Sequence, residues 1–182
     1  MSDAELLALF REGDNARYAF DMMVRTYGER LYWHIRKMVV SHDDANDILQ
    51  NCLIKAWNGL SNFRGASKLY TWLYRIAANE TITFLKKHRT YRFQSLSKVN
   101  RQLSESLSAD PLFNGDALQL QLQKAILNLP NRQRQVFIMR YFDELKYEEI
   151  SEILGTSVGA LKASYHHAVE KIEEYMKQIC IN

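Results

Sequence analysis

The residues in this sequence best suited to chemistry are cations interleaved with aromatic rings. Between positions 53 and 92 stand Lys55, Arg64, Lys68, Arg75, Lys86, Lys87, Arg89 and Arg92 against one acid, Glu80. Among them lie Trp57, Phe63, Tyr70, Trp72, Tyr74 and Phe84. Cations at this density neutralise phosphates, and rings between them can stack on exposed bases, so the stretch fits a nucleic-acid surface. A solvated basic face over core aromatics fits the same composition. The formal net charge of +3 hides the asymmetry, because residues 1–52 carry six Lys/Arg and nine Asp/Glu, and residues 93–182 carry ten and eleven.

Other chemistries find less support. The acid pairs Asp43-Asp44, Glu148-Glu149 and Glu173-Glu174 fall at helix starts or on polar helix faces. No second set of ligands and no base–nucleophile pair accompanies them, so no catalytic residue is expected and the chain does not read as an enzyme. The histidines are scattered apart from His166-His167, and no metal-ligand spacing occurs, so neither metal nor cofactor is expected. Cys52 and Cys180 could form one disulfide, but their separation indicates neither a disulfide framework nor a zinc site, and a reduced cytoplasmic compartment fits best. No apolar run approaches ~18 residues, and the acidic start Met1–Glu5 lacks the basic region of a secretory signal, so a soluble protein is expected.

The elements that position these residues read as helices, since seven Gly and two Pro in 182 residues leave little turn chemistry for a β architecture. Leu6, Leu7 and Phe10, then Tyr18, Phe20, Met22 and Met23, suggest two short helices. Leu31, Ile35, Met38 and Val39 share a face of a third. Ser41 is a good N-cap for a helix burying Ile48, Leu49, Cys52, Leu53, Ala56 and Trp57, whose other face carries Asp44, Asp47, Gln50, Asn51 and Lys55. After a break at 59–67, a helix from about Leu69 to Lys87 turns Trp72, Leu73, Ile76, Ile82 and Leu85 inward. Residues 93–115, punctuated by serines and ending in Asp110-Pro111 and Asn114-Gly115, read as a flexible linker. Leu118, Leu122, Ile126 and Leu129 open a second helical unit, Leu129-Pro130 breaks it, and a helix over Asn131–Phe142 follows.

Tyr147–His167 is the sharpest local pattern. Its first helix buries Ile150, Ile153 and Leu154, with small Ser151 where two helices must approach. Gly155 stands at the helix end, where a left-handed conformation suits it, and Thr156-Ser157 can cap the next helix. Val158, Leu161 and Tyr165 then face inward, leaving Lys162, Ala163, His166 and His167 outward. This is the pattern of a DNA-binding helix-turn-helix, although a plain helical hairpin shares part of it. The second helix is poor in Arg, which argues against tight stand-alone binding.

Two blocks of the chain together resemble one family. Asp43–Trp57 resembles the helix of sigma factor region 2 that docks on RNA polymerase, and Phe63–Ser67 with Tyr70–Asn79 resembles the part that reads the −10 element. Leu129–Phe137, Arg140–Phe142, Tyr147–Ile150 and Val158–Lys162 resemble region 4. With no room for a full region 3, the chain resembles an extracytoplasmic-function (ECF) sigma factor. The resemblance implies an all-α protein of two small helical domains joined by a flexible linker: 1–92 as region 2, 93–115 as the linker threading toward the polymerase active centre or RNA exit channel, and 116–182 as region 4 with its helix-turn-helix.

It also implies site residues. Asp47, Gln50, Asn51 and Leu53 would dock on core RNA polymerase. Asn62, Phe63, Arg64, Ser67, Lys68 and Asn79 would capture the −10 strand of promoter DNA, with Lys86, Lys87, Arg89 and Arg92 holding upstream phosphates. Arg140, Ser157, Lys162, Ala163, His166 and His167 would read or support the −35 element. An anti-sigma factor is the further partner usual for the family. The stretch Gly159–His167 departs from the commoner form, which has Thr after the Gly and Arg further on. It resembles Bacteroidetes-type members and leaves the −35 sequence open.

Overall fold

The computed structural model describes residues 2–91, 101, 105, 107–109 and 117–180, with side chains at 88–91 and at 180 left out. Among the described residues there are eight helices and no strand. The first module holds α1 (Asp3–Arg11), α2 (Ala16–Val39), α3 (His42–Leu60) and α4 (Leu69–Tyr91); the second holds α5 (Ala117–Leu127), α6 (Asn131–Tyr141), α7 (Tyr147–Leu154) and α8 (Val158–Cys180). Most of the linker expected at 93–115 lies outside the described residues. Leu107, inside it, is buried against Val40 and Leu127, so at that point the segment is docked on the protein.

The first module departs from the sequence reading at α2. Two expected helices, one over 18–23 and one over 31–39, are a single helix of 24 residues. Ala19, Met23, Leu31, Ile35 and Val39, all buried, fall on one stripe of four-residue steps that Tyr27 completes. Gly28 is no break, because burial of that stripe outweighs a glycine's helix penalty of about 1 kcal/mol. The Tyr27 hydroxyl donates to Asp3 Oδ1 at 2.6 Å and ties α1 across α2. Val40, at φ +68°, ends the helix, and the Ser41 hydroxyl accepts from the Asp44 amide at 3.2 Å to start α3 as expected.

Helices α2, α3 and α4 pack on one another and α1 closes one end with Leu6 and Phe10. Trp57, expected inside, is 42% exposed, its ring meeting Phe10 and Phe20 edge-on at 5.2 and 5.0 Å. Leu53 is half-buried rather than core. Cys52 is buried, and loss of hydration pushes its thiol up to about 12, which leaves it unreactive. In the second module Ile126, Leu129, Val136, Ile138, Ile150 and Leu161 form the centre, whereas Leu118, expected inward, is 63% exposed at the start of α5.

The two modules are not separate. Helix α2 packs on α6, α4 packs on α7, and one apolar cluster runs through both. The decisive polar group is Arg134 of α6, which is fully buried. Its guanidinium donates to the carbonyls of Met38 at 3.2 Å, Leu127 at 2.7 Å and Leu129 at 3.3 Å. Met38 lies in the last turn of α2, and Leu127 is the last residue of α5. One cation therefore serves the partially negative ends of two helices from two modules, where carbonyls lack helical partners. Burial lowers its pKa to about 10, which still leaves it charged at neutral pH. Around it, His34 Nδ1 donates to Asp143 Oδ2 at 2.7 Å with both side chains buried, and Gln135 Nε2 donates to the Ala78 carbonyl at 3.4 Å. Lys37 approaches Asp143 Oδ1 at 3.6 Å and the Phe142 ring at 5.0 Å.

Replacing Arg134 by Ala strands three buried carbonyls and opens a cavity. A loss of about 3 kcal/mol is expected, read as a lower urea midpoint with the slope of unfolding nearly unchanged. A loss below about 1 kcal/mol would show that water takes over the carbonyls.

Candidate nucleic-acid interface

The loop joining α3 to α4 is held from below and open above. Phe63 is only 7% exposed; its ring lies against Trp72 at 5.1 Å, and its carbonyl accepts from the Arg11 guanidinium at 2.7 Å. The expectation that Phe63 stacks on a base is therefore corrected: the ring spends its apolar surface on Trp72 and anchors the loop. Trp72 in turn lies over Gly59, where a Cβ would meet its ring at 3.0 Å, so a larger residue there would push the anchor aside. Gly65, at φ +72°, makes the turn that any side chain would resist. Asn62, Arg64 and Lys68 are exposed and Ser67 is half-buried, so amide, guanidinium, hydroxyl and ammonium groups remain for a base edge or phosphate.

Along α4, Asn79, Thr83 and Lys86 recur at helical spacing and line a polar cleft of about 450 Å³ against Asn131, Arg132 and Gln135 of α6. Lys87 is exposed beside them. The Arg89 side chain and all of Arg92 lie outside the described residues. Tyr74, open to stacking on composition, is buried beside His34, with ring centroids 5.3 Å apart; burial raises its hydroxyl pKa well above the ordinary phenol value.

The helix-turn-helix forms as its sequence predicts. Gly155 takes φ +63° and its amide donates to the Ser151 carbonyl at 2.9 Å. The Ser157 hydroxyl accepts from the Ala160 amide at 3.3 Å, so this residue caps α8 rather than standing free. Lys162, Ala163, His166 and His167 form one exposed strip, opposite buried Leu161 and Ala168. Both imidazoles face Glu170, at 3.3 and 3.2 Å. The Arg140 guanidinium and the Lys162 ammonium lie over the Tyr147 ring, 5.3 and 5.8 Å from its centre, and Arg140 also donates to the Leu145 carbonyl at 3.3 Å. Tyr147 was not singled out from sequence, yet it holds two of the expected cations together. It stands on Tyr165, whose own ring stacks on Phe137 at 5.6 Å.

A third surface lies on α3. Asp47, Gln50 and Asn51 are exposed on the face opposite Ile48 and Cys52, and Ile54, 54% exposed, adds an apolar group beside them. Sequence reasoning counted Tyr70 among the rings and Glu149 among the acid pairs but did not join them. The Tyr70 hydroxyl donates to the Glu149 carboxylate, and Lys68 lies 3.6 Å from it. The Tyr70 hydroxyl is raised to about 12, chiefly by burial, and the Glu149 carboxyl is lowered, chiefly by that bond. Among the described residues no cluster of three or more His, Cys, Asp or Glu could hold a metal, and no helix is long and apolar enough to cross a membrane.

An anchored loop with polar tips, a polar α4 stripe and a helix-turn-helix on one helical chain fit a helical nucleic-acid-binding protein, and comparison with known proteins gives its family. Residues 23–91 match the family model of sigma-70 region 2 and residues 119–172 that of sigma-70 region 4. The chain is 31% identical to RNA polymerase sigma factor YlaC of Bacillus subtilis, over 88% of this chain and 93% of that one. It is 30% identical to the ECF RNA polymerase sigma factor SigW of the same organism, over 88% and 90%. It is 28% identical to the ECF RNA polymerase sigma-E factor of Escherichia coli, over 98% and 96%. In fold it resembles CnrH in the solved complex with the cytosolic domain of CnrY, with a TM-score of 0.69, 23% identity and coverage of 98% and 99%. The chain belongs to the ECF sigma factors, and is a promoter-directing initiation factor.

Lys86 and Lys87 are exposed on α4. Replacing both with Ala is expected to leave the thermal midpoint within about 1–2 °C and to lower the salt-dependence slope of promoter binding by about 1 to 2 units. An unchanged slope would remove them from the phosphate contacts.

Proposed function

We propose that this sigma factor docks on core RNA polymerase through Asp47, Gln50, Asn51 and Leu53, captures the −10 non-template strand with the α3–α4 loop and Asn79, and contacts the −35 element with α8. The observation that carries this reading is the loop itself: a buried Phe63 packs on half-buried Trp72 and anchors it while Asn62, Arg64 and Lys68 stay exposed. Capturing a base costs unstacking and unpairing energy, which only a pre-formed pocket can return. Bases met by this loop would be read through hydrogen bonds from Asn62, Arg64 and Ser67, and strand capture of this kind would drive local melting. Lys86, Lys87, Arg89 and Arg92 would hold upstream phosphates without reading sequence.

At the other end, Lys162 and Arg140 on the Tyr147 ring would meet phosphates, while Ala163, His166 and His167 would face the major groove. Ser157 would contribute through the cap that starts α8. The form of Gly159–His167 supports a Bacteroidetes-type member. The protein would act in the cytoplasm and be held in check by an anti-sigma factor, as suggested by the solved complexes of CnrH with CnrY and of RpoE with NepR from Bartonella quintana.

The test is run-off transcription with purified core polymerase on a pool of genomic promoters. Promoter-specific transcripts are expected. Exchanging loop 62–68 for that of another sigma factor should change the preferred −10 sequence, and Asp47→Ala with Gln50→Ala should weaken polymerase binding at least tenfold. An unchanged promoter set would sink the loop assignment, and unchanged polymerase affinity would sink the docking face.

A further inference from the structure

We infer that Glu170 sets the base preference of the −35 contact: it takes the Nδ1 proton of His167, so that Nε2 at the tip of that ring is left as an acceptor for the exocyclic amine of a cytosine or adenine. The inference rests on the −35 reading of α8 above. Its basis is the geometry of three side chains. Side chains on a helix lean toward its N-terminus, so Glu170 reaches back over the two imidazoles one turn before it. Its Oε2 lies 3.2 Å from His167 Nδ1, and its Oε1 lies 3.3 Å from His166 Nε2. A carboxylate accepts and cannot donate, so His167 Nδ1 must carry the proton in that bond. In a neutral imidazole the other nitrogen then holds a lone pair and no proton.

The two histidines are therefore not equivalent. His167 is bound through the nitrogen nearer its backbone, and its side chain is 60% exposed, which leaves the tip nitrogen for a ligand. His166 is turned the other way, with its tip nitrogen on the carboxylate. It offers a ring to the groove rather than an acceptor. Ala163 stands one turn before His167 on the exposed strip and carries only a methyl group, so a base edge can approach the tip. The neighbouring charges are engaged elsewhere. Lys162 lies over the Tyr147 ring, Lys171 donates to Gln133 of α6 at 3.0 Å, and Glu173 faces Lys177 at 3.9 Å.

The major groove turns this tautomer into a code. Cytosine presents a donor at N4, adenine a donor at N6 beside the N7 acceptor, and guanine two acceptors, N7 and O6. An acceptor at Nε2 pairs with cytosine and meets guanine lone pair to lone pair, so cytosine against guanine is the clean comparison. A second proton on the ring reverses the choice, because Nε2–H then donates to guanine. Imidazole is the side chain whose charge ordinarily changes between about pH 5 and 8. The cytosine preference therefore belongs to the upper end of that window and is lost as pH falls.

The test is a promoter library randomised through the −35 element, bound by the full-length protein on core polymerase and sequenced at about pH 8 and about pH 6. With wild type at the higher pH, the position that His167→Ala alters should take cytosine over guanine by about fivefold, the low end for a base contact. Glu170→Gln keeps size and helix propensity, but its amide can donate as well as accept and no longer fixes the proton on Nδ1. Its cytosine-to-guanine ratio should fall to within about twofold of unity. Glu174→Gln makes the same charge change at an exposed residue one turn on and should keep the wild-type ratio. At the lower pH the wild-type ratio should move toward guanine. A ratio unchanged in Glu170→Gln, or equal at the two pH values, would overturn the inference. So would a uniform gain in affinity by Glu170→Gln with the ratio kept, which is relief of phosphate repulsion alone. His167→Ala separates the two failures. If it alters one −35 position while Glu170→Gln alters none, only the role of Glu170 falls. If neither variant alters any −35 position, the reading of α8 falls as well.

Discussion

Much of this molecule hangs on one guanidinium. Arg134 sits at the meeting point of α2, α5 and α6 and donates to carbonyls at two helix ends. A buried cation without partners would cost several kcal/mol, so its presence constrains everything near it. The ends of α2 and α5 must converge, α6 must run between them, and both modules must share an apolar centre. His34 with Asp143 and Gln135 with Ala78 repeat the same device: polar groups withdrawn from water and hydrogen-bonded across the module boundary.

The reading surfaces are built on the opposite rule. Their cations and amides stay in water, and their aromatic rings are turned inward to hold them. Phe63 and Trp72 brace the loop that presents Asn62 and Arg64, and Tyr147 gathers Arg140 and Lys162. Such surfaces gain little from hydrophobic burial and depend on phosphate contacts, which salt weakens. Under the proposed reading, two weak contacts mounted on one polymerase would suffice, because tethering raises the effective concentration of the second. An Arg-poor α8 is then no defect. In the proposed reading it is one half of a divided reader, which need not bind alone.

The clasp between the modules reconciles these rules. Its apolar centre, the Arg134 bonds and the buried His34–Asp143 pair favour close packing, while its rim, Glu149 with Lys68, is partly exposed and electrostatic. Rims of that kind contribute little each, generally below about 1 kcal/mol, and yield to competing charges.

What the sequence by itself determined was local. Periodicity, the Ser41 cap and the Gly155 turn are short-range, so the helices, the helix-turn-helix and the exposed strip of Lys162, Ala163, His166 and His167 were legible from spacing alone. The paired region 2 and region 4 motifs carried the family. The long-range choices were not legible. Tyr18–Val39 read as two helices because its apolar residues were grouped at 18–23 and 31–39, and only burial of the α2 stripe on α1, α3 and α4 makes it one. Phe63 read as a base-stacking ring because its neighbours are polar, yet Trp72 lies nine residues on and claims it. Arg134 sits in a run of cations and amides, and its burial, four residues before Ile138 on the inward face of α6, depends on helix ends 96 and 7 residues away in sequence. Glu149 read as an ordinary first-turn acid until α4 was brought against it. Composition and spacing record which groups can leave water; only the folded chain decides which ones do, because a buried polar group must find its partner, and that partner can lie anywhere along the sequence.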